Sequence, residues 1–272
     1  MKRWTSILLA LCSLIAVFVG AFYTLVMSSI VFSDAASSPV YSTKISNQDT
    51  ADSSYQDAKA ALQTFGIELK LKPDVSFGYV SWKEADELNK NTQKAFTMLS
   101  QEWSKYTPEF IKNTGLKKIY LVTHLKVSGQ ERSGMPEAIF EDALYFDVSE
   151  RYIASENGNY MRRTLHHEFK HLMDYNMFGK YAGDSETWKK CHISNVSYGS
   201  GGSTMYSDPE YAHTEHPEVG FVNGYATSAV EEDMAEVYAQ LMTNPEKLQQ
   251  LAARDSVVSC KVNATRATLA KL

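Results

Sequence analysis

Histidine is scarce in this chain of 272 residues. There are seven, and three of them fall with a glutamate inside the six-residue run His166-His167-Glu168-Phe169-Lys170-His171. The last five residues have the spacing H-E-x-x-H. On an α-helix each residue turns by about 100°, so His167 and His171 project from one face, roughly 6 Å apart along the axis, and can share one ion. Glu168 falls on an adjoining face, suited to reach a water on that ion and not the ion itself. Zinc prefers nitrogen, sulfur and carboxylate donors, and a catalytic zinc keeps three protein ligands plus water. Such a water ionises near neutral pH, and Glu168 is placed to take its proton. Two histidines leave the set one ligand short, and an isolated H-E-x-x-H also arises by chance. His166 points about 100° away from His167 and reads as a packing or solvated residue.

A third ligand is available in "GYATSAVEEDMAEVYAQLM", where Glu231, Glu232, Asp233 and Glu236 crowd into six residues. A charge run on a helix is ordinarily a solvated face, but helical phase separates these four. Met234, Val237, Tyr238 and Leu241 form an apolar stripe; Glu232 and Glu236 lie opposite it with only Ala235 and Ala239 between them. Glu231 and Asp233 point to either side. A face of two acids and two alanines lets another helix approach closely. Glu232 then completes a His167, His171, Glu232 set for one Zn2+ per chain. Glu236, one turn on, accepts a hydrogen bond from the far nitrogen of a ligating histidine.

The elements that must position these residues read as an α+β domain. "KKIYLVTHLKV" alternates as a strand, with Ile119, Leu121, Thr123, Leu125 and Val127 on one side, and "ALYFDVS" is a second strand with Leu144, Phe146 and Val148 alternating. The second is the expected sheet edge, where an extended peptide could add as a further strand. Helical periodicity runs through "YVSWKEADELNKNTQKAFTMLSQEWSKY", including Leu88, Phe96, Leu99 and Trp103. Helices are expected over residues 160–176, 229–242 and briefly after Pro245. Between the first two lies a long irregular stretch, "SYGSGGSTMYSDPEYAHTEHPEVGFVNGY", of a length often associated with function. His192, His213 and His216, in or near it, could bind substrate or a second ion, but such residues are more often solvated and are left out of the site.

The N-terminus differs in kind. After Lys2 and Arg3 no charge appears from Trp4 to Ser33. That run is long enough for a bilayer, which needs about 20 apolar residues, and long for a signal peptide's apolar region of about 7–15. Residues 1–35 are expected to be a signal peptide or N-terminal membrane anchor, 36–56 a flexible polar linker and 57–272 the folded domain. Both readings place the domain outside the cytoplasm, secreted or anchored through residues 7–32. In that oxidising setting Cys191 and Cys260 form one disulfide or remain two separate buried thiols. With 32 acidic against 27 basic residues, a net charge of −5 and no basic stripe interleaved with aromatics, nucleic acid is excluded as a partner.

In combination these motifs resemble the gluzincin metallopeptidases, most closely the anthrax lethal factor-like catalytic domain. "HEFKHLMD" matches the H-E-F-x-H-x-x-D pattern at His167, Glu168, Phe169, His171 and Asp174, and "YATSAVEEDMAE" matches a tyrosine, six residues, the ligand glutamate and A-E. The resemblance implies a zincin-like metallopeptidase domain: a small mixed sheet with an active-site helix and a third-ligand helix. It also implies that Tyr225 is a catalytic tyrosine, Glu232 the third ligand and Glu236 its supporting acid. As architecture it spans residues 60–255, but its motifs occupy only two helices and the turn before the second. Lys170 stands where a glycine is common, and the segment between His171 and Glu232 is longer than in the lethal-factor-like domain. The expected activity is that of an exported zinc metalloendopeptidase acting on protein or peptide substrates, with membrane contact through the N-terminal segment if it is uncleaved. The alternative is a catalytically silent zincin-fold binding or immunity module on the cell surface. Such copies usually lose the base or a ligand, and here all are present.

Overall fold

A computed structural model of the chain describes residues 49–192 and 196–272. The expected signal peptide or anchor, and the first part of the linker, lie outside the described residues. Among the described residues no helix is long and apolar enough to cross a membrane.

The strand read from "KKIYLVTHLKV" is the middle of a six-stranded mixed sheet, and we label it β3 (Lys118–Val127). β1 (Glu68–Lys70) runs parallel along its start, and β2 (Val80–Glu84) runs antiparallel along its later half. β4 (Gln130–Glu131) turns back on its last residues. β6 (Ala143–Asp147) lies parallel to β3, and β5 (Gly134–Glu137) closes the order β1-β3-β6-β5 as an antiparallel edge. Ile119 and Leu121 of β3 join Leu144 and Phe146 of β6 in the main core. Tyr120, Val122, Ala143 and Tyr145 form a smaller cluster on the other face. Simple alternation fails at His124, whose φ of 54° shifts the pleat and sends Leu125 to the smaller cluster rather than to the side of Leu121.

All five residues of β6 are buried, as suits a strand covered on both faces and paired on both sides. The expectation that "ALYFDVS" forms the edge is therefore corrected: the edge is β5, "GMPE". Four residues containing a glycine and a proline carry no readable strand period. Pro136 is tolerated there because its nitrogen faces away from the sheet. The Asp147 backbone amide donates to the Ser133 carbonyl at 2.9 Å. In the observed register this makes Met135 and Glu137 the hydrogen-bonded positions and turns Gly134 and Pro136 outward.

The helices are α1 (Asp49–Gln63), α2 (Lys90–Trp103), α3 (Pro108–Thr114), α4 (Glu150–Ile153), α5 (Asn159–Phe178), α6 (Ser185–Lys189), α7 (Pro209–His213), α8 (Val230–Thr243), α9 (Pro245–Arg254) and α10 (Ser256–Leu269). α1 begins inside the stretch assigned to the linker. α2 is shorter than the periodicity implied: "VSWKE" pairs into the sheet as β2, Leu88 is exposed, and Asn89 caps the helix by accepting from the Asn91 amide. α5 and α8 pack side by side. Leu165, Phe169 and Leu172 of α5 and Met234, Val237, Tyr238 and Leu241 of α8 are all in the main core.

Cys191, just past α6, is disulfide-bonded to Cys260 of α10, 69 residues away in sequence. A cross-link closing a loop of that size stabilises the fold by about 4 kcal/mol on chain-entropy grounds. Next to it, the fully buried Lys261 amino group donates to Asp233 of α8 at 2.5 Å and to the Gly220 carbonyl at 2.7 Å. Asp233 also accepts from Trp188 Nε1 at 2.8 Å and from the Tyr198 hydroxyl at 2.7 Å. α10 and the long segment between α6 and α8 are thereby fastened to the helix that carries Glu232.

Candidate metal centre

α5 is a 20-residue helix between two left-handed glycines, Gly158 and Gly179. His167 and His171 sit on its face toward α8, where Ala235 and Ala239 are fully buried and keep the helices close. Nε2 of His167 and Nε2 of His171 are 3.1 Å apart. Oε2 of Glu232 lies 3.0 Å from the first and 3.3 Å from the second. These three residues form the metal-capable cluster found among the described residues.

Atoms of this kind, so close together, repel unless positive charge lies among them. Burial disfavours a charged His167, yet the hydrogen bonds and charges of Glu232 and Glu236 outweigh it and hold its pKa well above the usual range. Burial alone would raise Glu232, but His167 and His171 pull it far below the ordinary carboxylate value. The place of that proton also suits a cation. Tetrahedral donors at about 2.0–2.2 Å from zinc lie roughly 3.3–3.5 Å apart, so the observed triangle would open only slightly. Two imidazoles and a carboxylate are a donor set suited to zinc. Because the ion and the proton compete for one place, binding weakens as pH falls.

His167 is held from behind. Its Nδ1 is 2.8 Å from Glu236 Oε1, and the other Glu236 oxygen accepts from Asn223 Nδ2 at 2.5 Å. Asn223 Oδ1 in turn accepts from the Ala226 amide at 2.9 Å, so one side chain joins Glu236 to the 3-10 turn Tyr225–Thr227. The Tyr225 ring packs edge-on against His167 at 5.7 Å between centroids. Burial, reinforced by the charge of Glu232, raises the Tyr225 pKa well above the usual phenol value, so the hydroxyl stays protonated. On the other histidine, His171 Nδ1 is buried without a hydrogen-bond partner, as is Asp174 Oδ1 one turn further on. Lys170, buried, pairs with the other Asp174 oxygen.

Glu168 borders a cavity of about 360 Å³, shared with His167, Thr164, Tyr225 and Glu236. Desolvation raises its pKa. Gly134 of β5 lies directly against it: a Cβ at that position would come within 2.7 Å of Glu168 Cγ. On the opposite side, Gly202 of the glycine- and serine-rich loop lies against Tyr225 and Glu232, where a Cβ would come within 2.3 Å and 2.6 Å of their oxygens. That loop is tied to the turn before α8 by Gly199 and Gly201, whose amides donate to the Thr227 and Ser228 carbonyls at 3.0 and 2.9 Å.

The structure thus brings His167, Glu168, His171, Tyr225, Glu232 and Glu236 to one place, and Cys191 meets Cys260 away from it. His166 is wholly buried rather than solvated: Nε2 lies 2.8 Å from Glu102, and Nδ1 lies 2.6 Å from the Tyr106 hydroxyl. Asp233 is likewise buried and held by Lys261. His213, set aside as solvated, lines the cavity. Asn223, Gly134 and Gly202 carry no signal in the sequence, because each acts through a contact made only in the fold.

The family profile described as "Putative zinc-binding metallo-peptidase" matches residues 88–271, a span holding α5, α8 and both motifs. A crystal structure from Bacteroides caccae, described as "a putative zinc-binding metallo-peptidase", is similar to this chain at 15% identity and a TM-score of 0.48, over 86% of this chain and 87% of that one. No curated protein matches the chain.

Proposed function

Because the chain belongs to the zinc-binding metallo-peptidase family whose profile covers residues 88–271, we propose that it is a zinc endopeptidase of the gluzincin type. In this reading His167, His171 and Glu232 hold one zinc, Glu168 is the general base and Tyr225 the oxyanion donor. The observation that carries it is the convergence of the three donor atoms within 3.0–3.3 Å of one another beside a carboxylate that faces a cavity. When bound, zinc lowers the pKa of water to about 7 and polarises a carbonyl oxygen. Glu168 takes the proton of the attacking water and delivers it to the leaving amine, and its raised pKa suits both halves of that exchange. The protonated Tyr225 hydroxyl donates to the oxygen on which negative charge develops. Glu236 holds the His167 ring so that Nε2 presents its lone pair forward.

An extended peptide laid along β5 would meet the outward amide and carbonyl of Gly134 and the outward carbonyl of Pro136, beside Glu168. The intact base and the cavity against it favour catalysis over a silent binding scaffold. Export is part of the proposal, and the Cys191–Cys260 bond is in keeping with an oxidising compartment.

The test compares wild type with Glu168→Gln and Glu232→Ala for zinc per chain and cleavage of an unfolded casein-like substrate. Wild type should bind one zinc and cleave. Glu168→Gln should keep zinc and lose about 10²–10⁴-fold in rate, and Glu232→Ala should lose zinc. Unchanged zinc affinity in Glu232→Ala would overturn the ligand set. Equal cleavage by Glu168→Gln would overturn the mechanism.

A further inference from the structure

The far wall of the cavity is basic. Arg163 and Arg151 line it, whereas their ion-pair partners Glu156 and Glu131 do not. Those two glutamates are 41% and 47% exposed and hold the guanidinium groups from outside. The Arg151 pair is exposed on both sides and weak on that account, whereas Arg163 meets both Glu156 oxygens, at 3.1 and 3.2 Å. Arg163 precedes His167 by four residues, so Arg163, His167 and His171 form one column on α5, with Arg163 about 6 Å before the first ligand. Its side chain is only 24% exposed, and the Tyr160 ring lies 5.9 Å from its guanidinium.

Of the carboxylates lining the cavity, Glu236 feels the charge of Arg163 but makes no hydrogen bond to it. Both oxygens of Glu236 are engaged, by His167 and Asn223. Glu168 is at the catalytic end, next to His167. A guanidinium has five donors; Glu156 takes one from each terminal nitrogen of Arg163, which leaves three for a second carboxylate reaching it from the cavity. The volume of about 360 Å³ holds a glutamate side chain with room for its backbone.

The geometry points to a substrate whose residue beside the scissile bond is acidic, glutamate or aspartate, with Arg163 as the residue that selects it. This rests on the peptidase reading above. The selection acts on the substrate side chain and not on the zinc, so a ratio of substrates isolates it.

The zinc-loaded chain is given a positional-scanning peptide library, and products are sequenced to locate the cut. Matched peptides differing only as Glu or Gln at each flanking position are then compared. Wild type should prefer the Glu peptide by about tenfold or more in kcat/KM at one of those positions, the scale of a charge-assisted hydrogen bond. Arg163→Met should bring that ratio to within about twofold of one, and Arg163→Lys should recover part of it. Cleavage without preference for an acid at either flank overturns this inference alone, as does a preference that survives Arg163→Met. A zinc-loaded wild type that cleaves no peptide in the library overturns the peptidase reading, and this inference with it.

Discussion

Glu236 offers a two-step test of how His167 is held. Its two oxygens both accept: one from His167 Nδ1 at 2.8 Å, the other from Asn223 Nδ2 at 2.5 Å, at a site 8% exposed. Glu236→Gln keeps the shape but offers one acceptor and one donor to two neighbours that both donate. One buried donor is left facing another, at a cost of about 1–3 kcal/mol. At 1.4 kcal/mol per decade this weakens zinc binding roughly ten- to hundredfold. Asn223→Asp added to it repairs the mismatch. The new carboxylate accepts from the introduced amide, its other oxygen still accepts from the Ala226 amide, and the net charge of the pair is restored. The double variant should regain most of the loss, a coupling of about 1–3 kcal/mol. Asn223→Asp alone, with two carboxylates face to face, should also bind zinc less tightly than wild type. Competition with a chromophoric zinc chelator at neutral pH measures all four proteins. Zinc affinity of Glu236→Gln within twofold of wild type, or a double variant no tighter than the singles, would refute this account of the hydrogen bonds.

Two further outcomes concern the scaffold. Lys261→Met removes the buried partner of Asp233 and should cost about 3–5 kcal/mol, whereas Lys261→Met combined with Asp233→Asn should recover much of that; chemical denaturation reads both, and a single variant within 1 kcal/mol of wild type would exclude a strongly coupled pair. Glu102, 3% exposed, would be raised by burial, but His166 and Lys105 bring it down to about 2 from 4.5. A depressed carboxylate stabilises the fold above its unfolded value and loses that contribution as pH falls. Stability should therefore be lost as pH falls from 4.5 toward 2, the direction set by the depressed Glu102 carboxyl. Glu102→Gln should be less stable at neutral pH and show a flatter acid limb in urea midpoints; parallel curves for the two proteins would contradict this.

The sequence made the two site helices readable because their chemistry repeats at helical spacing. Positions four apart share a face wherever the helix lies, so His167 with His171 and Glu232 with Glu236 could be paired before any tertiary contact was known. The buried strands were readable from their apolar runs. β5 was not, since four residues with Gly134 and Pro136 have no period, and β2 was absorbed into the helical pattern of the residues after it. For the remaining histidines, helical phase set His166 apart from the His167–His171 face but did not say what it packs against, and nothing placed His213. The first is a core residue bonded to Glu102 and Tyr106 and the second faces the cavity. The burial of Asp233 was not legible, because its partner Lys261 lies on α10, a helix with no polar-apolar contrast clear enough to announce itself.

The free side of β5 has a consequence for self-association. An edge strand kept unpaired for a substrate, as proposed above, is in principle open to any other strand, and sheet edges are where aggregation begins; here Gly134, Met135 and Glu137 are buried. β5 is four residues long and lacks an amide hydrogen at Pro136. Two copies meeting edge to edge would find too few donors to form a continuous ladder, and Gly134 has no side chain to pack across the seam. A flexible peptide can adjust to those few groups, whereas a second rigid sheet cannot. The same shortness and proline that hid this strand in the sequence thus act as a guard on the opening beside Glu168.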